Sequence, residues 1–330
     1  MLSYAPMVTL PDVPFSQQTA APPDPAAAGA KSSLLQKMEH EGAVTPIPVL
    51  TPTEVDQARA KLFELLDGYR WKLDAVNRHK PHLYLKWAND LGRHPKILEV
   101  VTQILGPDLL LWYSVIFVKP PKSQAFVPWH QDSTYWAMNE QKGLTAWVAL
   151  SPVNTNNGCV KYIPGSHLAH DYEHTIDNHK ENLLHRGQMI KGFDESGARD
   201  IVLNPGEMSL HDLRTLHASG PNQSNEPRLG IAFRYIPTSN YPRTLKWLKR
   251  GASLVAGQDR YHHFVPDPVP TYDFDPVAIK AYKKSIRVAA IHTLFGDDSR
   301  SNLRKALDTV PILISRKTAE YFKYWKHLKD

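Results

Sequence analysis

A chain of 330 residues has room for one large domain or two ordinary ones, and 42% hydrophobic with 22% charged residues is the balance of a globular enzyme. The net charge of +6 is too small and too scattered to argue for nucleic-acid binding, and no run long and apolar enough for a membrane span is present. A single cysteine, Cys159, excludes an intramolecular disulfide and any zinc site built from several cysteines, which fits a reducing, cytoplasmic setting.

Residues 1–42 are rich in Pro and Ala, carry no Lys or Arg before Lys31, and read as a disordered tail and a poor targeting signal. The prolines in Pro46-Ile47-Pro48 confine the next segment to an edge strand. Thr51-Pro52-Thr53-Glu54 is a helix start with a capping residue, a proline suited to the first turn and a glutamate to close the capping box. That helix is expected to reach Leu66 and stop near Gly68. Residues 82–91 read as helical with Trp87 and Leu91 inward. A further helix over 95–105 carries Ile97, Val100, Val101, Ile104 and Leu105 at helical spacing and ends at Gly106-Pro107.

After Pro107 the texture changes. Residues 109–119 are β-branched and aromatic, and short strands follow at 145–150, 159–163, 201–203, 207–211 and 229–235, separated by Gly, Pro and Asn turns. Many short strands without a phosphate loop predict a mainly β fold, a sandwich or jelly roll over about 107–237. The polar stretch 169–199 is expected to be an insertion over the barrel mouth. Residues 238–330 read as a helical extension of the same domain (43–330), with one helix starting at Asp275-Pro276 and another over 315–328.

Inside the β region, His130-Gln131-Asp132 places an imidazole and a carboxylate on one face of a strand, because side chains alternate with period two. These are two of the three ligands of a 2-His-1-carboxylate centre with open positions. His211 or His217 could each complete the set. Arg228 opens an apolar strand after a turn-rich hairpin, and its planar fork matches a carboxylate. A 2-oxo acid could chelate the metal while its far carboxylate meets Arg228.

The segments His130-Gln131-Asp132, Thr145-Ala146-Trp147, Asn156-Asn157-Gly158-Cys159, Pro164-Gly165-Ser166-His167, Pro205-Gly206-Glu207 and His217-Ala218-Ser219-Gly220 recur in order. Together the chain resembles the phytanoyl-CoA dioxygenase family of Fe(II)- and 2-oxoglutarate-dependent oxygenases. The resemblance implies a double-stranded β-helix, iron held by His130, Asp132 and His217, and 2-oxoglutarate held by Arg228 with help from Ser219 and Trp147. It implies a catalyst that uses O2 to oxidise, most directly to hydroxylate, an unactivated C–H bond of a small molecule, with release of succinate and CO2. Halogenating relatives carry Ala or Gly where Asp132 stands, so its carboxylate favours hydroxylation. Several motifs resemble the branch acting on amino acids and secondary metabolites. The rival reading is a cupin-type Mn or Zn jelly roll acting as a Lewis acid, for which Arg228 would have no use.

Ser133, Thr134 and Tyr135 follow the metal motif and, with Arg214 and Arg234, are candidates to meet substrate. His167, His170, His174, His179 and His185 share no helix or strand period and read as ordinary loop histidines. Cys159 reads as a small buried residue.

Overall fold

The helix signals of the N-terminal third behave as their caps dictate. The computed structural model describes residues 33–294 apart from 70–72, 74–77, 137, 141, 170–171, 177–178, 185–187 and 244–247. It begins with α1 (Ser33–Glu41) and β1 (Ala43–Pro48). The tail expected over residues 1–42 is contradicted at its end, where residues 33–41 are helical and Met38 is buried; residues 1–32 lie outside the described residues. Next come α2 (Pro52–Gly68), α3 (Lys86–Leu91) and α4 (Pro95–Leu105). Both halves of the Thr51/Glu54 capping box are formed, an arrangement that stabilises a helix start by about 1 kcal/mol. Residues 82–91 divide into a short 3-10 turn, Pro81–Leu83, and α3, with Trp87 and Leu91 buried as expected.

The β region contains β2 (Leu109–Lys119), β3 (Val127–His130), a one-turn α5 (Ser133–Trp136), β4 (Leu144–Ala149) and β5 (Val160–Tyr162). It continues with β6 (Thr175–Ile176), β7 (Gln188–Met189), β8 (Arg199–Ile201), β9 (Glu207–Asp212), β10 (His217–Ser219) and β11 (Arg228–Pro237). After it lie β12 (Gly251–Ala256), β13 (Val265–Pro266) and α6 (Pro276–Leu294). Seven strands pair in the order β1-β9-β4-β11-β2-β12-β13, and four in the order β3-β10-β5-β8. The proline-bearing β1 lies at the edge of the large sheet, as its missing N–H groups require.

Alternation along the strands decides which side chains meet what. On one face of the large sheet Ile116, Val118, Ala146, Val148, Ile231 and Phe233 join Leu62, Leu66, Ile97, Val101, Ile279, Tyr282 and Ile286 of the helices in the main core. On the other face Trp147, Ala149 and Ala232 meet Val160, Tyr162 and Ile201 of the small sheet. The inner face of the large sheet thus carries Lys119, Arg228, Gly230, Ala232, Arg234, Thr145, Trp147, Ser209 and His211 by period two. Polar groups on an inward face are costly unless they are used.

Two expectations change. The stretch after Pro237 is not wholly helical: β12 extends the large sheet by pairing with β2. The 169–199 insertion is not confined to one end of the sandwich. Tyr172, Ile190, Phe193 and Ala198 pack with Trp129, Leu216 and Ala218 on the outer face of the small sheet, covering apolar side chains that alternate with His130 and His217. The proposed 315–328 helix lies outside the described residues. Among the described residues no helix is long and apolar enough to cross a membrane.

Candidate metal centre and its cationic pocket

The antiparallel pairing of β3 with β10 sets His130 opposite His217, and their rings lie 4.1 Å apart between centroids. The strand carrying His130 ends there; Asp132 occupies the turn before α5 rather than the strand itself. The period-two logic survives the end of the ladder because Gln131 is pinned to the opposite side. Its Nε2 donates to the Arg214 carbonyl at 2.7 Å and its Oε1 accepts from the Tyr172 N–H at 3.0 Å. Asp132 is thereby returned beside His130, with Nε2 of the imidazole 3.9 Å from Oδ1. One ligand atom from each of His130, Asp132 and His217 falls within 4.8 Å of the others, and all three residues are buried.

Both imidazoles are oriented by the backbone. Nδ1 of His130 donates to the Pro128 carbonyl and Nδ1 of His217 to the Thr215 carbonyl, each at 2.9 Å. With the proton held on Nδ1, Nε2 carries the lone pair of each ring, and that of His130 lies toward Asp132. Burial, and then the neighbouring His217, pushes the His130 imidazole down to about 3, and burial likewise lowers His217. Neutral imidazoles are the form a cation binds.

The carboxylate lies against a rung of three inner-face residues, Arg234, Thr145 and His211, side by side on β11, β4 and β9, and is held by the first two. Thr145 Oγ1 donates to Asp132 Oδ2 at 2.8 Å, and Arg234 Nη2 donates to Oδ1 at 2.9 Å. Burial alone would raise the Asp132 carboxyl. Arg234, and then the three imidazoles around it, hold it well below the usual carboxylate range. Asp132 is therefore an anion in the interior, with hydrogen bonds of the kind that ligating carboxylates receive. His211 and His217, which read alike along the chain, stand on strands of different sheets. The ring of His211 lies 4.4 Å from that of His217 and its Nε2 is 3.9 Å from Asp132 Oδ2, yet it is not in the converging set. Among the described residues neither of its ring nitrogens has a hydrogen-bond partner.

A second set of buried polar residues shares the inner faces, around Arg228. Arg228 is 1% exposed, with its guanidinium 5.2 Å from the Trp147 ring and one nitrogen donating to the Gly158 carbonyl. Gly158 ends a short 3-10 turn at φ +72°, where its carbonyl can face the arginine and a side chain would strike the Gly220 carbonyl. Trp147 can lie flat beneath Arg228 because residue 230, on the neighbouring strand, has no side chain. A Cβ there would fall 2.2 Å from Trp147 Cζ2. Gly230→Ala is expected to lower stability by about 1–3 kcal/mol and, by tilting the indole, to weaken any anion bound at Arg228. Chemical denaturation together with anion titration checks both effects.

Ser219 shares the inward face of β10 with His217 and accepts from Lys119 Nζ at 2.8 Å. Lys119, which sequence reasoning passed over, is fully buried. Its signal was parity: Phe117 and Lys119 fall on one face, and that face proves to be the inner one. The substrate candidates divide. Ser133 is buried beside Asp132, and Thr134 Oγ1 lies 3.3 Å from Nδ1 of His174 in the insertion. The side chain of Tyr135 lies outside what the structure describes. Arg214 turns to Asp212, accepting no role in the cluster, with Nε 3.5 Å from Oδ1. Arg234, considered as a substrate contact, instead grips Asp132 and lies over the rings of Tyr113 and Trp136.

Of the loop histidines, His167 contacts the Glu39 carbonyl and His179 packs on Phe126, while 170 and 185 lie outside the described residues. Among the described residues the His130–Asp132–His217 group is the one metal-competent cluster. Cys159 is free and buried, its Sγ donating to Asp200 at 3.6 Å.

Residues 38–230 match the family model described as phytanoyl-CoA dioxygenase. A probable alpha-ketoglutarate-dependent hypophosphite dioxygenase of Stutzerimonas stutzeri is 32% identical over 183 residues, covering 54% of this chain and 63% of that protein. Among solved structures, the non-heme monooxygenase ThoJ superposes with a TM-score of 0.69 at 30% identity, covering 84% of this chain and 99% of ThoJ. The epimerase SnoN, in complex with Fe3+, alpha-ketoglutarate and nogalamycin RO, reaches 0.55 at 26% identity, covering 67% of this chain and 87% of SnoN. The match spans less than two thirds of the hypophosphite enzyme's length. By sequence and by fold, the chain belongs to the phytanoyl-CoA dioxygenase family of iron- and 2-oxoglutarate-dependent oxygenases.

Proposed function

We propose that this chain hydroxylates an unactivated C–H bond of a small molecule, an amino-acid-derived or secondary-metabolite substrate, at the expense of 2-oxoglutarate and O2. The observation that carries the reading is the adjacency of two things on the inner faces of the sandwich: a buried two-imidazole, one-carboxylate cluster, and a buried arginine that forms no ion pair with an acid among the described residues. A Lewis-acid enzyme needs the first and has no use for the second.

His130, Asp132 and His217 would hold Fe(II) on one side, and Arg228, with Ser219 and Trp147, would receive the distal carboxylate of 2-oxoglutarate. The iron, when bound with 2-oxoglutarate and O2, supplies the oxidant that removes a hydrogen atom from the substrate. The protein's own part is positional. Pro128 and Thr215 carbonyls aim the two imidazoles; Thr145 and Arg234 fix the carboxylate and keep it ionised. The apolar cluster around Trp147 and Tyr162 excludes water from the space between the sheets. The insertion residue His174 lies against Thr134 Oγ1 and the Gln131 N–H, next to the metal motif in sequence. SnoN, whose fold superposes on this chain and which was solved with nogalamycin RO, supports a secondary-metabolite substrate.

The test is succinate release from 2-oxoglutarate by Fe(II)-loaded protein in air, across amino acids, alkaloids, peptides and acyl thioesters. The expected result is O2-dependent succinate stimulated by one substrate class, and a weak visible charge-transfer band on anaerobic mixing with Fe(II) and 2-oxoglutarate. Turnover supported by Mn or Zn with no succinate formed would favour the Lewis-acid rival.

A further inference from the structure

One rung of the inner face carries a donor with no acceptor among the described residues. Arg234, Thr145 and His211 stand side by side on β11, β4 and β9. The first two donate to Asp132, at 2.9 and 2.8 Å. Nε2 of His211 stops 3.9 Å from Oδ2 of the same carboxylate, beyond hydrogen-bond reach. On its other side the ladder with β1 sets only the methyl group of Ala43 against it. The imidazole is 2% exposed, and among the described residues neither ring nitrogen has a partner.

An imidazole carries at least one N–H whether it is neutral or protonated. Burying that hydrogen without an acceptor is a cost that an apolar ring of the same outline would not bear. A histidine here is accounted for if its acceptor arrives with a ligand. The surroundings say where that acceptor lies. The His211 ring is 4.4 Å from that of His217, and its Nε2 is close to Asp132, so it neighbours two of the three residues of the metal cluster. Yet it is outside the set whose ligand atoms converge within 4.8 Å. A group that hydrogen-bonds to a metal's ligand stands about 2.8 Å further out than a group that binds the metal itself. His211 has the place of the former.

We propose that His211 anchors exogenous ligands of the metal: its Nε2–H donates to an oxygen atom bound in a coordination position that His130, Asp132 and His217 leave open. The inference rests on the reading that these three residues hold Fe(II). It sets His211 apart from a fourth metal ligand, which would be needed to hold the iron. It also sets it apart from a packing residue, which an apolar side chain of like shape could replace.

Nitric oxide, titrated anaerobically into Fe(II)-loaded protein and followed by electron paramagnetic resonance, is the probe, because it takes an open position and presents an oxygen atom. His211→Phe keeps the outline of a ring and removes the N–H; His211→Gln supplies an N–H again. His211→Phe is expected to weaken nitric oxide binding about 10- to 100-fold with Fe(II) affinity unchanged, and His211→Gln to recover most of the loss. Titration with and without 2-oxoglutarate locates the position. A loss seen only in its absence assigns His211 to a position that 2-oxoglutarate takes, and a loss that persists with it bound assigns His211 to the remaining one. Undiminished nitric oxide binding in His211→Phe under both conditions overturns the inference. So does an equal loss in His211→Gln, which would make the effect one of shape, or a loss of Fe(II) affinity, which would make His211 a ligand. Should His211→Phe fail to fold, His211→Leu carries the same comparison. The oxygenase reading fails separately: wild-type protein that binds Fe(II) and nitric oxide but releases no succinate from 2-oxoglutarate sinks that reading and leaves the His211 comparison standing. Wild-type protein that binds no Fe(II) overturns both.

Discussion

Asp132→Ala is expected to abolish 2-oxoglutarate turnover, a loss well beyond the roughly 10- to 100-fold that follows from changing a residue behind a metal ligand. The substitution removes the one anion of the cluster and leaves two neutral imidazoles, a set with little hold on a divalent cation. It does a second thing that the sequence did not disclose. Arg234 loses its carboxylate and is left with its charge uncompensated in a mostly buried position, 15% exposed, while Thr145 loses its acceptor. Breaking a hydrogen bond to a charged group in this way costs about 1–3 kcal/mol. The single variant is thus expected to be both inactive and less stable, and the two effects can be parted. Adding Arg234→Met removes the orphaned guanidinium while leaving a flexible apolar chain against Tyr113 and Trp136. The double variant should regain melting temperature and remain inactive. Turnover that survives in Asp132→Ala, or returns with stability in the double variant, would show that the carboxylate serves the fold and not the metal.

The contrast between Asp132 and its partners marks how far a sequence can be read. His130 and Asp132 are legible because their spacing is local: two residues apart, one face. Arg228 and His217 are legible through the motifs that surround them. The helices α2 and α4 announce themselves through Thr51, Pro95 and the apolar spacing between, since capping and amphipathic period are properties of the segment itself. What remains hidden depends on which strand lies beside which. Arg234 shares parity with Arg228, so its inward direction could be deduced; its partner could not, because the Arg234–Thr145–His211 rung exists only once β11, β4 and β9 are paired. Lys119 looks like the solvated end of a strand beside two prolines until the β2–β11 register sets it against Arg228. His211 and His217 look interchangeable because the turn that carries the chain from one sheet to the other has no marker as strong as a glycine or proline. The α1 helix and β12 are missed for a different reason: each is short and gains its stability from burial against neighbours distant in sequence.

The apoprotein is expected to lose stability steeply on acidification, and the histidines predict where. His82, His130, His211 and His217 are all buried, and burial lowers each imidazole below its usual value, that of His130 to about 3. In the unfolded chain each binds a proton near pH 6.5. The folded state holds them neutral, so their contribution is present above that pH and is lost as pH falls from there toward the folded values. Each histidine that titrates only on unfolding contributes a slope of about 1.4 kcal/mol per pH unit, and four acting together approach about 5 kcal/mol per pH unit. Against a total stability of about 5–15 kcal/mol, this is enough to unfold the chain within a few pH units. Asp132 adds to the loss only later, since its depressed carboxyl stabilises the fold until the pH falls below the ordinary aspartate range. Urea denaturation of metal-free protein at stepped pH measures the slope. His82→Gln, whose site lies against Ser114 and outside the metal cluster, should reduce it by about one proton. A divalent ion bound to the folded state should raise stability near neutrality by mass action, with a benefit that fades on acidification because protons compete for the same imidazoles. A stability profile flat from neutrality down through the histidine range would mean that these rings are not held neutral by the fold, and with that the claim of a prepared metal site would fail.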